Sequence, residues 1–191
     1  EPEREAEPLD IAIVGMDGFF PGAIGVEQFW AEIVAGTDAV TEVSDERWDV
    51  ARYYDADAFT KDAGRKTPSR WGGFLDPVGF DPLQYGIPPA SLAAIEPVQL
   101  LALEVAARAL ADAGYGERQF DRSRASVVFG AESGNELAGA YGIRAFLPQL
   151  FGSVPPGLEE WLPSLTEDSF PGVLANVIAG RVANRLDLGG V

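Results

Sequence analysis

The sequence has 191 residues, of which 47% are hydrophobic and 23% charged, the proportions of one ordinary globular domain. It contains neither cysteine nor histidine, which excludes disulfides, thiolate or imidazole metal sites, cysteine nucleophiles and Ser-His-Asp triads within these residues. Fourteen Lys and Arg against thirty Asp and Glu give a net charge of −16, so the chain is a poor binder of nucleic acid.

Residues 1–9 are predicted to form a charged linker. Glutamate stands at every second position up to Glu7, which is the opposite of a signal peptide with its basic start and apolar middle. The linker is expected either to have no further role or to dock a partner. Because no run of about 18 apolar residues follows, we expect a cytoplasmic protein that does not enter a membrane.

A continuous apolar run, Ile11–Val14, ends at Gly15 and predicts a strand that is buried on both faces. An amphipathic helix is predicted next, because apolar residues recur at helical spacing and Gly36 follows as a stop signal. The residues on that apolar face are Val26, Phe29, Trp30, Ile33 and Val34.

Residues 37–90 are irregular, rich in Asp, Gly and Pro, and hold eight aromatic side chains. Such aromatics usually anchor a loop-rich stretch to the body of a domain, and a separate carbohydrate or base-stacking site is the alternative. The same stretch holds the two lysines of the chain, Lys61 and Lys66, near Arg65 and Arg70. This basic island predicts either a solvated loop or a contact with an acidic partner.

A second helix is predicted from Pro97, which suits a first helical turn, to Gly114, which suits a C-terminal cap. Its apolar stripe consists of Leu100, Leu103, Ala107 and Leu110. Ser126–Gly130 then predicts another buried strand. This alternation of strands and helices is typical of an α/β fold with parallel strand pairing.

The remaining sequence is less regular. Residues 135–168 are ambiguous, because four prolines are expected to break any long element. A third helix is predicted from Gly172 to Leu186, with small residues on one face and an apolar stripe on the other. Close packing of the small face predicts that Asn176 is hydrogen-bonded. The stripe consists of Leu174, Ile178 and Val182.

Local motifs for catalysis are weak. The turn after the first strand matches neither a dinucleotide-binding nor a phosphate-loop pattern. Ser133, in the segment that follows Ser126–Gly130, has no histidine to activate it and is interpreted as a pocket-lining or helix-capping residue. Paired carboxylates such as Asp55 and Asp57 are expected by chance in so acidic a chain.

Several short segments stand in a characteristic order. The first is Ile11–Met16 with Phe20-Pro21-Gly22 and Phe29-Trp30, and the most specific is Glu167–Gly172 with Asn176–Arg185. Between them come Gly72–Leu75, Tyr85–Pro89 and Leu100–Ala106. Over residues 9–191 this order resembles the ketosynthase domains of modular polyketide and polyunsaturated fatty acid synthases. Asp17-Gly18-Phe19 departs from the family's usual small residue and Cys-Arg, a change that bears on a surface loop.

The resemblance implies an α/β fold of the thiolase-like type, layered αβαβα, with residues 10–191 as its N-terminal half. The family's nucleophilic cysteine lies in a D-x-A-C segment, which is expected just beyond Val191, and its two histidines and a lysine lie further on. Because Leu186–Val191 has the composition of a turn leading into a strand, we expect the sequence to break off inside the domain. This expectation accounts for the lack of Cys and His.

The activity implied by the resemblance is decarboxylative Claisen condensation of acyl and malonyl-type thioesters. No cofactor is expected in this chain, since the phosphopantetheine arm belongs to an acyl carrier protein. Further implied partners are the C-terminal half of the domain and a second copy in a homodimer. Because carrier proteins are usually acidic, the charge of −16 predicts docking through local arginines or through tethering in one polypeptide.

The resemblance assigns no catalytic residue to this chain, and no metal ligand is expected. It places five residues near the acyl pocket or the dimer interface, with tight packing as the alternative: Ser133, Gly134, Phe170, Ala175 and Asn176. Two other hypotheses remain open. One is a non-catalytic scaffold or chain-length partner with the same fold, in which another residue replaces the cysteine. The other is an unrelated α/β binding module.

Overall fold

The computed structural model describes residues 10–61, 65–132 and 136–190. The described residues form two units. The smaller unit comprises residues 17–79, and the larger, mainly helical unit comprises residues 10–16 and 80–190.

The smaller unit is built from short elements joined by irregular chain, as its content of Asp, Gly and Pro predicts. Its strands pair as two antiparallel two-stranded sheets, β1 with β2 and β3 with β4. The strands are β1 (Phe19–Phe20), β2 (Ala23–Ile24), β3 (Val40–Glu42) and β4 (Trp71–Gly73). The helices are α1 (Val26–Ala35), α2 (Val50–Tyr53) and α3 (Ala58–Lys61).

Helix α1 confirms the first helix prediction, including its end. Gly36 has a left-handed φ of 68°, and its N–H donates to the carbonyls of Glu32 and Ile33, a conformation that glycine adopts without steric cost. Phe29 stacks on Phe20 with 3.9 Å between ring centroids. Phe29 therefore covers β1, but the rest of the predicted apolar face is not packed, since Trp30, Ile33 and Val34 are 64%, 51% and 70% exposed.

The prediction that aromatic side chains anchor residues 37–90 is confirmed for some of them. Tyr85 is buried in the core of the larger unit and Phe80 packs against that core, whereas Trp48 stacks on Tyr53 of the same irregular stretch. Phe59 is 81% exposed, so the prediction is wrong for that residue. In the basic island, Arg70 pairs with the carboxylate of Glu42 at 3.1 Å.

The larger unit has its core where α4 packs against α7. Its helices are α4 (Pro97–Asp112), α5 (Glu136–Phe151), α6 (Ser169–Val173) and α7 (Val177–Arg185). The most deeply buried apolar side chains of the core are Ile87, Leu103, Ile178 and Val182. Helix α4 thus confirms the second helix prediction, and Ile178 and Val182 confirm the apolar stripe of the third.

Helix α5 occupies part of the stretch whose prolines suggested broken structure. Pro148 lies within its last turn, and the left-handed Gly152 follows, donating its N–H to the Pro148 carbonyl. Pro148 has no N–H to donate to the carbonyl of Arg144, so it removes one bond of the helix, yet α5 continues to Phe151. The expectation that Pro148 would break the element is therefore wrong.

The two predicted buried strands are not strands among the described residues. Ile13 is 79% exposed and Val128 is 95% exposed, although Val127 packs against the core. A parallel strand becomes buried only when neighbouring strands pair with it and helices cover both faces. No described residue pairs with Ile11–Val14 or Ser126–Gly130 in a sheet, which is the physical reason for the correction.

The predicted third helix is interrupted. Leu174 has extended backbone angles, φ −85° and ψ 123°, and separates α6 from α7. Of the two glycines on the small face that we predicted to be closely packed, Gly172 is tight, because a Cβ atom there would overlap the carbonyl oxygen of Ala94. Gly180 faces open space, and Asn176 is exposed and makes no capping hydrogen bond. The prediction of a hydrogen-bonded Asn176 is therefore wrong.

The buried Tyr85 makes a hydrogen bond to the carboxylate of Glu104. Its hydroxyl donates to Oε2 of Glu104 at 2.6 Å, and its ring stacks on Phe80. Burial raises the pKa of Tyr85 above its ordinary range, and the hydrogen bond to Glu104 raises it further. Both effects disfavour the phenolate, because it would lose its hydration and lie beside a second negative charge.

We expect Gly172→Ala to destabilise the chain by roughly 1–3 kcal/mol, the usual cost of overpacking, since the added Cβ meets backbone that cannot move aside. The matched control is Gly180→Ala on α7, which should stabilise by about 0.5–1 kcal/mol through helix propensity. Urea titration followed by circular dichroism measures both changes. Equal midpoints for the two variants would contradict the close approach of Gly172 to Ala94.

We also expect Tyr85→Phe to change how the free energy of unfolding depends on pH. A pKa that is higher in the folded chain leaves stability intact below the ordinary tyrosine pKa of about 10 and removes it as the pH rises further. The unmodified chain should therefore lose stability above about pH 10 more steeply than Tyr85→Phe does. Urea titrations at a series of alkaline pH values test this, and parallel curves would refute it.

Candidate functional site

One buried side chain, Gln99 in the first turn of α4, holds the connection between α6 and α7. Its amide nitrogen donates to the carbonyls of Pro171, Gly172 and Leu174 at 3.0, 2.7 and 3.3 Å. Its Oε1 accepts from Nε of Arg181 at 2.8 Å, and the residue is 1% exposed. Both ends of the amide are paired, as burial of so polar a group requires.

Glu96, which directly precedes α4, binds two further elements. Its backbone N–H donates to the Gly172 carbonyl at 2.9 Å, and its Oε1 accepts from the N–H of Ala138 at 3.1 Å. Ala138 lies in the first turn of α5, where N–H groups have no partner within the helix and a carboxylate is favoured by the helix dipole. The start of α4 therefore ties together α5 and the α6–α7 connection.

Arg181 keeps the Gln99 amide in one orientation. If the amide flipped, its oxygen would face three carbonyl oxygens and its NH2 group would face the guanidinium donor of Arg181. Burial lowers the pKa of Arg181, Arg185 lowers it further, and Asp168 acts in the opposite direction. Arginine stays protonated at neutral pH in proteins, so Arg181 remains a donor to Gln99.

Three of the five residues that the sequence assigns to a pocket lie on this held segment. Phe170 projects from α6 and is 74% exposed, Ala175 is half-buried in the turn that follows Leu174, and Asn176 is exposed directly before α7. Ser133 and Gly134 lie outside the described residues. The structure thus places Phe170, Ala175 and Asn176 on one short backbone segment, and Gln99 binds three carbonyls within it.

A separate groove of about 510 Å³ lies between the start of α4 and α5. None of the described residues that the sequence assigns to a pocket lines it. Its apolar lining includes Leu92, Ile95, Leu137, Ala140, Trp161 and Leu162, and carboxylates come from Glu96, Glu136 and Glu160. Glu96 connects this groove with the segment from Phe170 to Asn176, because it lines the groove and its N–H donates to the carbonyl of Gly172.

The sequence interpretation missed Gln99, Glu96 and Arg181. A signal for Gln99 is present, since it stands four residues before the fully buried Leu103 and therefore on the same face of α4. A polar residue on an apolar helix stripe indicates a buried hydrogen bond. The partners of that bond lie more than 70 residues further along the chain and leave no local trace.

Two chemical possibilities receive no support from the part of the chain that the structure describes. It holds no group of three or more carboxylates placed to bind a metal ion. Nor does it hold a helix with the length and apolarity needed to cross a membrane.

Comparison with known families and sequences gives a consistent result. Residues 9–191 match the family model described as the N-terminal domain of β-ketoacyl synthase. The chain is similar to polyketide synthase PksL of Bacillus subtilis, with 35% identity over 151 residues, and to the hybrid synthetase ATPKS of Aspergillus niger, with 34% identity over 188 residues. These alignments cover 78% and 91% of the chain but only 3% and 10% of those relatives.

Solved structures show the same likeness. The ketosynthase from module 6 of the Bacillus subtilis bacillaene synthase is 28% identical, with a TM-score of 0.62, and the match covers 94% of this chain and 25% of that one. A β-ketoacyl synthase from Burkholderia phymatum gives a TM-score of 0.64 at 22% identity over 94% of this chain and 37% of that one, which shows the fold. The chain thus has the fold of the N-terminal part of these thiolase-like domains.

We expect Glu96→Ala to destabilise the chain by roughly 1–2 kcal/mol, the cost of losing a helix N-terminal acceptor, because the Ala138 N–H loses its partner. Glu96→Gln keeps an acceptor oxygen and should lose less. Urea titration measures stability, and hydrogen exchange of the Ala138 amide reports the bond itself. The role assigned to Glu96 fails if the two variants exchange at Ala138 equally fast.

Proposed function

The chain belongs to the β-ketoacyl synthase family as an N-terminal domain, and from this membership we propose that it forms one half of a condensing domain in a multidomain polyketide or polyunsaturated fatty acid synthase. The match of residues 9–191 to the family carries the proposal. Because these residues include no cysteine or histidine, the nucleophile and its histidines are supplied by another part of the intact protein.

The reaction proposed is decarboxylative Claisen condensation. A cysteine thiolate attacks the carbonyl of an acyl thioester on the carrier protein, forming an acyl-enzyme and releasing the carrier's thiol. A malonyl-type thioester then loses CO₂, and its enolate carbon attacks the acyl-enzyme. A carbon–carbon bond forms, and the cysteine leaves as thiolate. Both additions generate an oxyanion, which hydrogen-bond donors must stabilise where the charge develops.

Within this scheme the chain supplies walls of the acyl chamber. The proposed wall residues are Ser133, Gly134, Phe170, Ala175 and Asn176. Support comes from the exposed ring of Phe170 and from the fixed backbone on which Phe170, Ala175 and Asn176 stand. An exposed apolar side chain on a rigid segment is suited to meet an acyl chain, since little conformational freedom is lost on binding.

The proposed partners are an acyl carrier protein, the C-terminal half of the domain and a second copy of the chain. A net charge of −16 opposes long-range attraction of an acidic carrier protein. Covalent tethering within one polypeptide would raise the carrier's effective concentration without a favourable field. The large size of the relatives, of which this chain spans a few per cent, supports that arrangement.

Acyl trapping in the intact protein tests the proposal. Incubation with acyl-pantetheine thioesters and peptide mass mapping should locate an acyl adduct on a cysteine outside residues 1–191. An adduct within these residues would contradict the proposal, and a protein that forms none because another residue replaces the cysteine would be the non-catalytic scaffold.

In the same intact protein, we expect Ala175→Leu to shift acylation toward shorter acyl chains by about tenfold, the scale on which apolar pockets discriminate added methylenes. The matched control is Ala111→Leu at the exposed C-terminal end of α4, which should leave the preference unchanged. Rates of acylation with a short and a long acyl-pantetheine give the preference as a ratio. If the ratio of short-chain to long-chain acylation rates is the same in both variants, Ala175 is not a wall of the chamber.

A further inference from the structure

We propose that Gln99 is a positioning residue for the acyl chamber, acting through the backbone of the α6–α7 connection. The proposal rests on the function proposed above, because it takes Phe170 and Ala175 as chamber walls. Gln99 itself is 1% exposed and has no access to a substrate. Its influence must therefore pass through the segment that it binds.

The bonds of Gln99 lie next to both wall residues. The Pro171 carbonyl, which accepts at 3.0 Å, directly follows Phe170, and the Leu174 carbonyl, which accepts at 3.3 Å, directly precedes Ala175. The bond to Gly172, at 2.7 Å, lies between them. One amide group thus binds three carbonyls of the stretch that separates Phe170 from Ala175, and so restrains the backbone from which both side chains project.

The rest of the surroundings makes this arrangement rigid. Glu96 adds a second hydrogen bond to the Gly172 carbonyl, at 2.9 Å, so that oxygen has two donors. Gly172 also lies so close to Ala94 that no side chain fits between them. Arg181 prevents the amide from flipping by donating to Oε1 at 2.8 Å. Because buried, fully paired polar groups have few alternative arrangements, the segment has one favoured conformation.

A purely structural role and a positioning role predict different results. If Gln99 only stabilises the fold, its loss lowers the amount of active protein and slows acylation by short and long chains equally. If it positions the walls, the ratio of the two rates changes, because displacement of Phe170 and Ala175 alters the length or width of the chamber. The ratio does not depend on how much of the protein is folded.

The experiment compares Gln99→Leu with Val182→Ala in the intact synthase. Val182 is fully buried on α7 and contributes only apolar contact, so its truncation lowers stability without removing a hydrogen bond. We expect Gln99→Leu to change the ratio of acylation rates with decanoyl- and butyryl-pantetheine by about tenfold. Val182→Ala should leave the ratio as it is. An unchanged ratio in Gln99→Leu, or an equal change in both variants, would overturn the proposal.

A second measurement separates this inference from the proposed function. Hydrogen exchange of the amides of Gly172 and Val177, which donate to the carbonyls of Asp168 and Leu174, reports the segment directly and needs no substrate. It should accelerate about tenfold in Gln99→Leu relative to Val182→Ala, as expected when a local hydrogen-bonded unit opens more often. No acceleration would refute positioning by Gln99 whatever the acylation results. Acceleration in a protein that forms no acyl adduct would instead refute the condensing function.

Discussion

The larger unit depends on satisfying the backbone carbonyls of the α6–α7 connection where they are shielded from water. Leaving such an oxygen without a donor costs roughly 1–3 kcal/mol, so each one needs a partner. The amide nitrogen of Gln99 donates to three of these carbonyls, those of Pro171, Gly172 and Leu174. The backbone N–H of Glu96 adds a second hydrogen bond to the Gly172 carbonyl. The donors come from Gln99 in the first turn of α4 and from Glu96 just before it, so the same short stretch binds the carbonyls on both sides of the helix break.

The donor turn also constrains which residues the connection can contain. For the carbonyl of Gly172 to reach both Glu96 and Gln99, its backbone must approach that of Ala94 until no Cβ fits. Glycine is therefore a requirement of the hydrogen-bond geometry and not of helix propensity, which would disfavour it. The carboxylate of Glu96 extends the same constraint to α5 through Ala138. The buried Glu96 thus connects Gly172 with Ala138, two residues that lie far apart in the sequence.

A structural feature could be predicted from the sequence when the residues that determine it lie within the same segment. Helices α1 and α4 were predictable, because helical spacing and the left-handed glycines Gly36 and Gly114 lie within the segments themselves. The strand predicted at Ser126–Gly130 required neighbours that no described residue provides. At the break, the carbonyl of Leu174 accepts a hydrogen bond from Gln99, 75 residues earlier. For the site, the proposed wall residues come from resemblance to a family. Gln99 left a signal on the apolar stripe of α4, but its partners, more than 70 residues away, left none.

The exposed apolar segments and the composition point to the same arrangement. Ile11–Val14 and Val128 present apolar side chains to solvent among the described residues, and surfaces of that kind mark contacts with further protein. A condensing chamber needs a thiolate and imidazoles that these 191 residues lack. The structures of similar fold are chains of which this one covers 25% and 37%. In the proposed domain, further protein would cover the apolar segments and supply the nucleophile opposite the proposed walls, so one assembly accounts for both observations.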